Sequence, residues 1–157
     1  MTHTASYGTL PPSTAALHGI VVLDFSHVIA GPFATYYLAA LGARVIKVEN
    51  PHRGDSLRSK PQAFESVNHG KEIVQIDLDS ASGRDQAWAL FAEADIFVDN
   101  MRPGVLERFG FGESVLRQKK QSLIHCSVSG YGRSGDWASR PTFDHVVQAA
   151  SGMTLLA

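Results

Sequence analysis

The feature that most constrains this chain is the segment from Ile20 to Val48. In it an apolar, β-branched run, a helical repeat and a second β-branched run follow one another with short joints. Ile20 to Phe25 reads as a buried strand that ends at Ser26-His27 and the turn Gly31-Pro32. Phe33, Tyr36, Tyr37, Ala40 and Leu41 then recur at helical spacing, and Gly42 stands where a helix C-terminus favours a residue tolerant of positive φ. Ala43 to Val48 supplies the next strand. Two strands joined through a helix run parallel, so the fold class is α/β with an open, mostly parallel sheet and helices on both faces.

The pattern recurs downstream. Asn50 to Gly70 reads as a long loop, and loops of that length are often functional. Ile73 to Asp77 reads as a strand, and Asp79 or Ser80 caps a helix to about Ala94 whose apolar face is Ala87, Leu90, Phe91 and Ala94. Ile96 to Val98 is the next strand, Arg102-Pro103-Gly104 a break, and short helices are expected over Val105 to Phe109 and Glu113 to Lys120. Leu123 to Val128 is the last strand. A final helix is expected with Thr142 as N-cap and Val146, Val147 and Ala150 facing inward.

A chain of 157 residues suits one sizeable core, and a hydrophobic fraction of 44% with 18% charged residues is that of an ordinary globular domain. The formal net charge of -1 gives no pull toward nucleic acid or an anionic membrane, while leaving room for a local anion pocket. No apolar run is long enough for a membrane span. Residues 1–16 are polar, lack the apolar stretch of a secretory signal and read as a flexible tail. The single Cys126 excludes an intramolecular disulfide and is expected as a buried structural thiol, which makes a cytoplasmic location the default. The seven histidines show no metal-ligand spacing, so no metal is expected.

Several motifs bear on chemistry. Gly130-Tyr131-Gly132-Arg133-Ser134-Gly135 matches a dinucleotide-binding glycine pattern, but Asp136, Trp137, Arg140 and Pro141 follow it instead of a helix, so it reads as a glycine loop. No G-x-S-x-G elbow surrounds Ser127 or Ser129. The loop His27 to Pro32 lies past the carboxyl end of the first strand, where open α/β sheets place ligands. It reads equally as a phosphate or acyl-carbonyl contact and as a plain strand-to-helix turn with an exposed His27. Asn100 to Gly104 brings an amide and a cation to the same edge, with Arg108 one helical turn on, a placement that suits phosphate contacts but is more often that of a solvated or ion-paired surface arginine.

In order, Leu17 to Asp24, Ala30-Gly31-Pro32-Phe33-Ala34, Leu41 to Glu49, Asn68 to Lys71, Asp77-Leu78, Ala94-Asp95, Asn100 with Arg102-Pro103-Gly104, Ser129 to Gly132, and Asp144 with Gln148-Ala149 and Ser151-Gly152 resemble the class III CoA-transferases, the CaiB/BaiF family. The resemblance runs from Leu17 to the last residue. It implies a Rossmann-like, coenzyme A-binding N-terminal domain over residues 17–157 and a dimer of interlocked subunits. On the matching positions it implies coenzyme A contacts from His27, Val28 and Ala30, from Ile76, Asp77, Leu78 and Asp79, from Asn100 and Met101, and from Arg108. Ile29 and Phe143 would touch the acyl group, and Asp144 would be an acid of the acyl site without being the nucleophile.

The resemblance also implies the reaction, in which coenzyme A moves between an acyl-CoA thioester and a carboxylic acid. An aspartate attacks the thioester and an enzyme-bound thioester follows. The position of that aspartate falls beyond Ser151-Gly152, in a segment this chain does not reach, so its partner is expected to be another copy or a complementary C-terminal chain. A non-catalytic CoA-binding remnant is the alternative expectation. Phe143 stands where racemase-like members have a catalytic histidine, which disfavours racemisation, and Ile29 replaces a glutamine of formyl-CoA transferase. Asn50 and Asp79 stand where relatives often place a cation for the coenzyme's phosphates, leaving Lys47, Arg58, Lys71 or Arg102 to compensate.

Overall fold

The computed structural model describes residues 14–156; the expected tail over residues 1–16 falls mostly outside them. Five strands form one sheet: β1 (Val21–Asp24), β2 (Arg44–Glu49), β3 (Glu72–Gln75), β4 (Ile96–Asp99) and β5 (Ile124–Ser127). The strand order is β3-β2-β1-β4-β5, and every pairing is parallel. Six helices accompany it: α1 (Ala30–Ala40), α2 (Pro61–Asn68), α3 (Ala81–Glu93), α4 (Val105–Phe109), α5 (Glu113–Lys119) and α6 (Asp144–Ala150). The expected α/β class and open parallel sheet are what the chain adopts.

The central strands β1, β2 and β4 are buried along nearly their whole length because both faces of the sheet are covered there. Leu23, Phe25, Ile46 and Val48 point into the larger core with Ala87, Phe91, Phe97 and Phe111, while Val22, Val45 and Val98 pack on the other side with Leu38 and Ala39 of α1. Phe91 centres the larger core, with ring centroids 4.9 Å from Phe97 and 5.1 Å from Phe111 in tilted or edge-on contact. Ser80 caps α3 as expected, its Oγ accepting the Gly83 N–H at 2.9 Å. Gly42 ends α1 at φ 98, also as expected.

Other expectations need correction. The stretch read as a loop from Asn50 to Gly70 contains a 3-10 turn at Ser56–Ser59 and helix α2, with Leu57, Phe64 and Val67 forming a small core of their own. The residues that gave α1 its periodicity face outward: Phe33, Tyr37 and Leu41 are exposed, and Pro32, Thr35, Leu38 and Ala39 are the inner face. Helix α6 is capped at Phe143 and not Thr142, and it buries none of its residues, so Val146, Val147 and Ala150 do not reach a core among the described residues. Cys126 is exposed, not buried, because β5 is an edge strand whose Ile124 and Cys126 side has nothing packed on it.

Candidate functional site

The sheet order reverses between β1 and β4, and the loops leaving the carboxyl ends of these strands must part there. Here they are clasped. The His27 N–H donates to Asn100 Oδ1 at 2.9 Å, and Asn100 Nδ2 donates back to the His27 carbonyl at 2.7 Å. Beside the clasp lies a cleft of about 290 Å³. Phe25, Val48, Ile76, Leu78, Met101 and Phe109 make it apolar, and Arg53, Arg102 and Arg108 bring cations to it. All three arginines are exposed, and the Arg108 guanidinium lies 4.7 Å from the Phe109 ring centroid. Asp79 is the single carboxylate among the lining residues.

The loop above the clasp is strained and braced. Val28 has φ 69, and it is the one non-glycine with positive φ among the described residues. For a β-branched residue that conformation costs on the order of 1–2 kcal/mol. Its N–H faces the Asp55 carboxylate at 3.1 and 3.2 Å. The same carboxylate accepts from the Leu57 N–H at 3.0 Å and from Lys47 Nζ at 3.0 Å, and Lys47 also donates to the Ser26 carbonyl at 2.7 Å. Both side chains are fully buried. Burial pushes the Asp55 carboxyl upward, but the Leu57 N–H, the Lys47 charge and the Val28 N–H outweigh it and hold the group below the usual carboxylate range. Burial, aided by the Lys47 charge, lowers the His27 imidazole below its ordinary value, so the ring is neutral at neutral pH.

A second buried pair lies under the first turn of α1. Lys71 Nζ donates to Asp24 Oδ2 at 3.0 Å, to the Pro32 carbonyl at 2.8 Å and to Asn68 Oδ1 at 2.9 Å. Asp24 also accepts from the Ser26 N–H at 2.8 Å, the Ser26 hydroxyl and the Thr35 hydroxyl at 2.6 Å. Burial pushes the Lys71 ammonium below the usual lysine value against the pull of Asp24. Gly31 is required in this packing, because a Cβ there would run into the Ser26 side chain. Glu49 is buried as well and takes Arg58 in a two-point pair at 2.6 and 3.0 Å.

Of the residues singled out in the sequence, His27, Ile76, Leu78, Asp79, Met101 and Arg108 line the cleft, as does Asn50. Asn100 braces it from behind, Val28 sits in the braced loop, and Ala30 opens α1. Asp77 accepts the Asp79 N–H at 3.1 Å and so shapes its own turn. Ile29 is exposed and does not line the cleft. Phe143 and Asp144 begin α6 and do not line it either; Phe143 is exposed and Asp144 accepts from Gln148 Nε2 at 2.6 Å. Of the four cations suggested as compensation, Lys47, Lys71 and Arg58 are committed to carboxylates, and only Arg102 reaches the cleft. Arg53 and the brace Asp55 were missed. Both lie in the stretch read as a loop, where no periodicity fixes the direction of a side chain. The glycine run from Gly130 is followed by turns, not a helix, which agrees with its reading as a plain loop.

The model of CoA-transferase family III matches residues 17–157. The chain belongs to that family. Among curated members it is 38% identical to an acetyl-CoA:oxalate CoA-transferase of Acetobacter aceti, covering 87% of this chain and 37% of the relative. It is 37% identical to the human succinyl-CoA:glutarate CoA-transferase, covering 87% of this chain and 33% of that protein. A crystal structure of Rv3272 from M. tuberculosis superposes with a TM-score of 0.85 at 40% identity, over 90% of this chain and 40% of the other. The chain therefore spans about two fifths or less of the length of these family III proteins. The cleft sets three exposed arginines, suited to charge-assisted contacts, beside an apolar wall. Among the described residues no helix is long and apolar enough to cross a membrane.

Proposed function

We propose that the chain is the coenzyme A-binding part of an enzyme that moves coenzyme A between acyl-CoA thioesters and carboxylic acids. The observation that carries this reading is the convergence of Arg53, Arg102 and Arg108 on one apolar cleft at the point where the sheet order reverses. In this reading the arginines take the phosphates of coenzyme A, and Ile76, Leu78 and Met101 pack against its adenine. The clasped loop from His27 to Ala30 directs the pantetheine arm. Phe143 and Asp144, which stand apart from the cleft, meet the acyl group of the thioester in this reading.

Titration calorimetry of the chain with coenzyme A and with acetyl-CoA tests the proposal. Binding is expected, and Arg108→Ala or Arg102→Ala should weaken it about tenfold each, the usual worth of one charge-assisted contact. Absence of heat at millimolar ligand refutes it. Asp79 favours a second reading, a binding module with reduced affinity, because its carboxylate lines the cleft that would take the phosphates. Asp79→Asn should then tighten coenzyme A binding, and a weaker or unchanged complex removes that reading.

A further inference from the structure

The buried Asp55 does not line the cleft, yet one of its oxygens lies 4.0 Å from Nδ1 of His27, which does, and its carboxylate accepts from the N–H of Val28, the one strained non-glycine of the loop that borders it. We infer that Asp55 is a positioning residue: its carboxylate, neutralised by Lys47, holds Val28 in the left-handed conformation and so sets the loop from His27 to Ala30 in its binding shape. The inference rests on the coenzyme A reading for its functional consequence, but its structural content stands apart from that reading.

The geometry is specific. Both carboxylate oxygens face the Val28 N–H at 3.1 and 3.2 Å, and no other non-glycine among the described residues has a positive φ. A valine left to itself returns to negative φ, because its Cβ crowds the following carbonyl in the left-handed region. Turning it back would swing the His27 carbonyl and the Val28 N–H, and the His27 carbonyl is one half of the clasp with Asn100. Asp55 itself cannot follow such a movement, since the Leu57 N–H and Lys47 Nζ fix it at 3.0 Å each. The charge of Lys47 is held in turn by the Ser26 carbonyl at 2.7 Å, directly before the loop. The strain at Val28 is thus countered by a fixed anion beneath the loop and not by packing above it, where the neighbouring Ile29 is exposed.

The test is a rescue. Asp55→Asn keeps the size and an acceptor but loses the charge; coenzyme A affinity should fall about tenfold, the scale set by the left-handed conformation it no longer holds. Adding Val28→Gly to Asp55→Asn should restore most of that affinity, because glycine adopts positive φ without help. A purely structural role for Asp55 predicts no rescue. If Asp55→Asn fails to fold with Lys47 left unpaired, the background becomes Lys47→Met with Asp55→Leu, which removes both charges at similar volume. Amide exchange at residues 27–29 is read on the same samples: faster in the Asp55 variant, and slowed again at residues 27 and 29 by the glycine. Unchanged affinity and unchanged exchange in the Asp55 variant overturn the inference, and so does a glycine that rescues neither. Should the wild-type chain not bind coenzyme A while exchange behaves as stated, the coenzyme A reading has failed and the positioning has not.

Discussion

Replacing Lys71 by Met changes charge while nearly preserving side-chain length, so it isolates the electrostatics of the polar layer beneath α1. The ammonium donates at 3.0, 2.8 and 2.9 Å to Asp24, the Pro32 carbonyl and Asn68, and its side chain is fully buried. In Lys71→Met a buried carboxylate loses its cation and two further acceptors lose a donor. Breaking such a pair from one side costs about 3–5 kcal/mol. Part of this is offset, because the methionine does not carry the desolvation that already depresses the Lys71 ammonium. The Ser26 and Thr35 donors also remain on Asp24. The expected loss is therefore about 3 kcal/mol, near the lower end, or roughly 6–12 °C in Tm for a chain of this size. Urea denaturation followed by tryptophan fluorescence measures it, with an unchanged m-value confirming the same folded state. Asp24→Asn added to Lys71→Met should recover at least half, since the orphaned charge is then gone. A loss below about 1 kcal/mol, or no recovery in the double variant, refutes the account of this layer as a charge pair.

Further outcomes follow from the same structure. Phe91→Ala empties the centre of the aromatic core and should cost about 3–5 kcal/mol in urea denaturation. The folded state holds His27 below its ordinary value, so the unfolded chain binds the extra proton first; stability is fully present above about pH 6.5 and falls as pH drops toward the folded value. His27→Gln should flatten that decline in denaturation midpoints below about pH 6.5, and an identical slope in the variant contradicts the assignment. Cys126 should react with a thiol reagent in the native chain as fast as in urea, because it is exposed. The outward stripe of Phe33, Tyr37 and Leu41 predicts concentration-dependent self-association in sedimentation velocity, weakened by Phe33→Lys; a monodisperse monomer at all concentrations contradicts it.

Much of this fold was legible because its signals are local. Gly42 and Ser80 marked helix ends through backbone tolerance and a hydroxyl cap, and the β-branched runs around Val22 and Val45 are apolar at consecutive positions because α1 and α3 cover opposite faces of the sheet. What failed depended on which surfaces are covered. The run around Ile124 reads like that around Val22, yet β5 is an edge strand and its Ile124 and Cys126 side lies open. The aromatic repeat of α1 has the period of a buried face, but the small residues Gly31 and Thr35 are the ones the sheet admits. Lys47 reads in the sequence as a possible cation for the coenzyme's phosphates. It is fully buried because Asp55, 8 residues on and in a stretch without periodicity, folds back over it. The same reasoning brought His27 and Arg108 to the sheet edge where the cleft lies, with Asn100 holding the His27 backbone, and missed Arg53, whose neighbours give no face to count from.

The clasp between His27 and Asn100 also sets a rule for how this site can vary. Each partner lies just past the end of its strand, and the two hydrogen bonds join a backbone to one side chain, so an insertion of a single residue before either partner would move both groups out of register. Aspartate in place of Asn100 would keep the acceptor and lose the donor, leaving the His27 carbonyl without its partner. The two loops therefore behave as one part with a fixed length, and diversity in what the cleft accepts has to be written in the side chains around it, at positions such as Arg53, Asp79 and Arg102, that carry no share of the joint.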